Sequence, residues 1–72
     1  MEAIDICERF CKEVFHTTDV SNIVVRIERD SMGLLIDELF DMDYRPKTTV
    51  RESKTHYIIN FEKTYPFEWI YS

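Results

Sequence analysis

"NIVVRIERDSMGLLIDELF", residues 22–40, decides the fold, because the spacing of its apolar residues changes partway along. From Asn22 to Arg29 the period is two. Ile23, Val25 and Ile27 point one way, and Val24, Arg26 and Glu28 point the other. The β-branched content suits a strand. From Met32 the spacing turns helical: Met32, Leu35, Ile36, Leu39 and Phe40 form a stripe, while Asp37, Glu38 and Asp41 face water. Ser31 is the expected N-cap, and Gly33 costs the helix about 1 kcal/mol relative to Ala. A hairpin is the weaker alternative, since "LLIDELF" does not alternate.

Upstream, "EAIDICERFCKEVFH", residues 2–16, reads as one amphipathic helix. Ala3, Ile4, Ile6, Cys7, Phe10, Cys11, Val14 and Phe15 fill one half of the wheel, and the charged residues fill the other. Glu8 and Lys12 form an i,i+4 pair in the favoured order. "HTTDVSN" breaks the pattern as a loop.

Downstream, Pro46 ends anything helical. "KTTVRE" and "THYIINFE" then read as two strands joined by a tight turn at Ser53-Lys54. In the second, Tyr57, Ile59 and Phe61 alternate with His56, Ile58, Asn60 and Glu62. Residues 65–72 are expected to form a further strand or an interface arm. Phe67, Trp69 and Tyr71 share one side of that tail if it is extended, which makes them a candidate interface.

The fold class is α+β: one small two-layer domain, residues 1–72, of order α-β-α-β-β with an optional last strand. Two helices cover one face of a mostly antiparallel sheet. Strand, helix and strand imply a right-handed crossover.

Composition narrows the function. Apolar content of 44% with one Gly and two Pro indicates a folded chain. No apolar run reaches the ~18 residues that span a bilayer, and the first residues lack a signal-peptide pattern, so the expectation is a cytoplasmic protein without membrane contact. Cys7 and Cys11 lie four apart on a helix, a poor geometry for a disulfide, and are expected as buried free thiols in a reducing compartment. No glycine-rich phosphate loop and no metal-ligand spacing occurs, so no cofactor, metal or enzymatic activity is expected.

Charge is distributed unevenly. Residues 1–43 hold eleven Asp and Glu against four Lys and Arg, while four of the nine cations fall between Arg45 and Lys54. Burying Val50 turns Lys47, Thr49 and Arg51 outward. Arg26, Lys47, Arg51, His56 and Asn60 are then the candidate partner-binding face of the sheet. Asp37, Glu38, Asp41 and Asp43 form a second candidate surface, an acidic helix face able to imitate DNA phosphates. Small acidic, aromatic-rich domains of this kind recur among phage and mobile-element accessory proteins.

The functional expectation is a non-enzymatic regulator or inhibitor that binds a larger intracellular protein, with homodimer formation as a further expectation. A net charge of −5 and a pI near 4.9 argue against nucleic acid as partner. The alternative is a nucleic-acid-binding or ribonuclease-like protein using Arg26, Lys47, Arg51 and His56. Helix, short strand and a strand bearing His56 resemble small bacterial mRNA-interferase toxins of the HicA type over a short stretch. Lys54 and Thr55 stand where that family carries a glycine before its histidine.

Overall fold

Strands form wherever apolar residues alternate, and one more forms where helical spacing runs on past Phe10. The computed structural model describes residues 3–64. Its elements are α1 (Ala3–Phe10), β1 (Glu13–His16), β2 (Asn22–Glu28), a short 3-10 turn (Arg29–Ser31), α2 (Met32–Phe40), β3 (Tyr44–Arg51) and β4 (His56–Lys63). The α+β class and the single helical layer stand as expected, but the order is α-β-β-α-β-β. The roles expected of residues 65–72, including Phe67, Trp69 and Tyr71, lie outside the described residues.

The four strands line up as β1-β2-β4-β3, and every neighbouring pair is antiparallel. β2 and β3 therefore run parallel, but β4 lies between them. The crossover through α2 skips one strand rather than joining neighbours. No helix among the described residues is long and apolar enough to cross a membrane.

The helix expected over 2–16 stops at Phe10. Cys11 still donates to the Cys7 carbonyl at 2.8 Å, and the chain then turns into β1. Glu13–His16 pairs in unbroken register with Arg26–Ile23. A strand satisfies these main-chain groups against β2, a long-range gain that helical spacing cannot reveal. One cost is Phe15, which the wheel places on the buried side and which stands 68% exposed.

Ser31 makes no side-chain cap. It lies in the 3-10 turn with φ −99° and ψ −7°, so the turn itself leads into α2. Past the far end, beyond the C-cap Asp41, Asp43 takes φ 68°, a left-handed conformation that Asp tolerates, where the chain turns into β3. Its carbonyl accepts from the Thr64 N–H at 2.7 Å and the Thr64 hydroxyl at 3.1 Å.

One core holds the layers together. Ile23, Val25, Ile27, Ile59 and Phe61 from the sheet meet Ala3, Ile6 and Cys7 of α1 and Leu35 and Leu39 of α2. Cys7 and Cys11 are free and buried. Burial pushes the Cys7 thiol up to about 12, helped by Cys11 and Glu8, and pushes Cys11 up to about 11.

The β1–β2 loop is tied by its own side chains. The Asp19 carboxylate accepts from the Ser21 hydroxyl (2.8 Å), the Thr17 hydroxyl (2.9 Å) and the Ser21 N–H (3.1 Å). These bonds, the Ser21 hydroxyl first, hold its carboxyl below the usual range. Next to it Val20 takes φ 56°, unusual for a β-branched residue.

Candidate functional site

Both helices pack on one side of the sheet, and among the described residues no element covers the other. Register decides what that open face presents. In β2, Asn22, Val24, Arg26 and Glu28 alternate with the core residues, and opposite them in β4 stand Glu62, Asn60, Ile58 and His56. Phe15 and Glu13 of β1 add to the rows of Val24 and Arg26. These positions follow from period two, as the sequence indicates.

β3 departs from expectation. The ladder is irregular between Pro46 and Thr48, so Lys47 is an extra residue and the alternation changes phase there. Thr48 then pairs with Asn60 and Val50 with Ile58, on the open face. Thr49 and Arg51 pair with Ile59 and Tyr57, on the helix side. The set Lys47, Thr49 and Arg51 does not share the outer surface. Val50 is 57% exposed rather than buried, and Arg51 is removed from the candidate face.

The remaining cations are not free. Arg26 Nε donates to Glu52 Oε1 at 2.5 Å, reaching from β2 past β4 to the end of β3. This carboxylate, chiefly through its hydrogen bond, raises the guanidinium pKa. Lys47 Nζ lies 3.1 Å from Glu62 Oε2. Arg45 turns to the end of α2, donating to the carbonyls of Phe40 and Tyr44 at 3.2 and 3.0 Å, with its guanidinium 3.5 Å from the centre of the Phe40 ring.

His56 sits in a local turn network. Its Nδ1 is 2.8 Å from the Thr55 hydroxyl, and its N–H donates to the Ser53 hydroxyl oxygen at 3.1 Å. Ser53 thus orders the β3–β4 connection, which runs through four residues rather than a tight Ser53-Lys54 turn. The Glu52 and Ser53 N–H groups both reach the His56 carbonyl, at 3.0 and 3.1 Å. The bonds from Ser53 and Thr55 to His56 explain the shape of the turn.

Two rows cross the centre of the open face. One is Phe15–Val24–Asn60–Thr48 and the other is Glu13–Arg26–Ile58–Val50. Phe15, Val24, Ile58 and Val50 give the face its apolar surface, with Arg26 standing among them and the Lys47–Glu62 pair to one side. Asn60 Oδ1 is buried within it and has no hydrogen-bond partner. Arg26, His56 and Asn60 come together here, with Lys47 at the margin. Asp37, Glu38, Asp41 and Asp43 are exposed on and just after α2, away from this face. Among the described residues no three His, Cys, Asp or Glu side chains form a metal-binding group. Phe15 escapes helical-wheel reasoning. No local periodicity in Glu13–His16 marks it; the pairing of this segment with β2 is what turns Phe15 outward.

A cavity of about 460 Å³ opens where β2 extends beyond the first residue of β1. Glu8, Glu13 and Glu28 line it together with Arg9, Lys12, Arg26 and His56. Three acids against three permanent cations select neither an anion nor a cation. Compared with protein-family models, curated proteins and solved structures, the chain finds no match.

Proposed function

We propose that this chain is a non-enzymatic interaction module, a small regulator or inhibitor that binds a larger protein through the open face of its sheet. The observation that carries this reading is the pairing of exposure with apolarity there. Phe15 and Val50 stand 68% and 57% exposed at the two flanks, with Val24 and Ile58 in the rows between them. Exposed apolar side chains interleaved with charged pairs, Arg26 among them, suit a protein-binding surface. The nucleic-acid alternative draws less support, because Arg26 and Lys47 each have a carboxylate partner and Arg51 lies on the other side.

The test is affinity capture from the native host, with nuclease treatment as a control. Wild-type protein should retain one stoichiometric protein. The double variant Phe15→Asp/Val50→Asp should lose it, while Asp37→Lys/Glu38→Lys keeps it. Capture that survives the first pair of changes overturns the assignment of the face. Loss on nuclease treatment moves the reading to nucleic acid.

A further inference from the structure

We propose that two copies of this chain pair edge to edge through β1, antiparallel, in the register that sets Phe15 opposite Phe15 of the second copy. The two edges of the sheet are built differently. β3 carries Pro46, which has no N–H, and the irregularity at Lys47, which breaks the ladder and adds a charge. Proline, bulges and lysine are the usual devices that keep an edge strand from pairing. β1 has no proline, bulge or lysine: its four residues, Glu13 to His16, pair consecutively with β2, and its shortness and the charge of Glu13 are the protective features it does carry.

The main-chain groups that β1 offers follow from alternation. Thr17 N–H donates to the Asn22 carbonyl at 3.1 Å. Antiparallel pairs alternate, so Phe15 and Glu13 also direct their main-chain groups at β2. Val14 and His16 direct theirs at the outer edge, which no strand among the described residues covers. Both copies keep their helices on the same side only if facing residues have the same parity. Centring the two-fold on Phe15 sets Val14 against His16 of the second copy, and the reverse, closing four hydrogen bonds. Centring it on Val14 closes two and brings Lys12 against His16. The first register also leaves Glu13 opposite Thr17, so no like charges meet.

Side chains favour the same register. Phe15 faces Phe15 as a non-hydrogen-bonded pair, the closer kind. The row Thr48–Asn60–Val24–Phe15 then runs on into its copy. The strand is complementary to itself, which is why a second copy is the occupant. The paired segment is short, and its area falls well below the ~1,200 Å² of a stable interface, so the dimer is weak and concentration-dependent. This surface is the edge of the sheet and stands whether or not the open face binds another protein.

Sedimentation velocity of the full chain over a concentration series tests the idea. The mass should rise from 8.7 kDa toward twice that value. Phe15→Cys under mild oxidation should give a cross-linked dimer, because a non-hydrogen-bonded pair sets the Cα atoms about 4.5 Å apart, within disulfide reach. Glu13→Cys should not, and the buried Cys7 and Cys11 stay silent. Val14→Pro, checked for folding by circular dichroism, should weaken association at least tenfold. Should that variant not fold, the cross-linking pair decides. A chain that remains monomeric at millimolar concentration overturns the proposal, as does equal cross-linking at positions 13 and 15.

Discussion

The Tyr44 hydroxyl donates to the carbonyl of Val20 at 2.5 Å, joining the start of β3 to the loop that separates β1 from β2. Tyr44 is 4% exposed, and Val20 holds the left-handed conformation at φ 56°. A β-branched residue pays about 1–2 kcal/mol for that backbone. Packing of Val20 on the core and this hydrogen bond hold it there. Tyr44→Phe keeps the ring and removes the donor, so it should cost about 1–2 kcal/mol, seen as a lower urea midpoint. A midpoint equal to wild type would mean that water replaces the hydroxyl without loss.

Gly33 offers the opposite case. It lies in α2 with negative φ, and a Cβ built there meets nothing within 4 Å. Gly33→Ala should therefore stabilise the protein by about 0.5–1 kcal/mol, through the entropy of the unfolded chain. In a domain of this size that is a rise of several degrees in Tm by calorimetry.

Among the described residues Phe61 is the largest fully buried side chain, and it sits in the central strand β4. Removing it leaves a cavity bounded by both neighbouring strands and the helices. Phe61→Ala should cost about 3–5 kcal/mol, a large share of what a small domain has. Circular dichroism on heating should show a broad, weakly cooperative loss of structure. A sharp transition near the wild-type temperature contradicts the core as described.

The buried thiols predict a loss of stability in alkali. Cys7 and Cys11 are raised from 9.0 to about 12 and about 11 in the folded protein. Above about pH 9 the unfolded chain releases these protons while the folded chain keeps them, so unfolding gains from rising pH. The contribution is complete below that point and disappears as pH climbs through the folded values. Urea midpoints at about pH 8 and about pH 10.5 should fall more for wild type than for Cys7→Ala/Cys11→Ala. Native thiol labelling should be slow and should accelerate in denaturant.

What the chain reveals before folding depends on how local each determinant is. Ile23, Val25 and Ile27, like Ile59 and Phe61, declare their face because period two is a property of the strand alone. Helix α2 is legible from Leu35 and Leu39 for the same reason. Glu13–His16 is not: Val14 points inward on a helix and on a strand alike, and only pairing with β2 chooses. Val50 looks like a core residue until the extra residue at Lys47 changes the phase of β3. The pairing of Arg26 with Glu52 spans 26 positions and follows from register, which no stretch of sequence carries by itself. So the open face was legible in β2 and β4, and hidden in the two strands at its edges.

The extra residue at Lys47 bears on how far assembly can go. A sheet with two pairing-competent edges adds subunits head to tail without end and grows into a filament. Here one edge is irregular and proline-bearing, which discourages pairing there, and the pairing proposed for the other edge would consume it in both molecules. Under that proposal growth closes at two, with Pro46 and the inserted Lys47 on the far strand separating a reversible pair from a fibre.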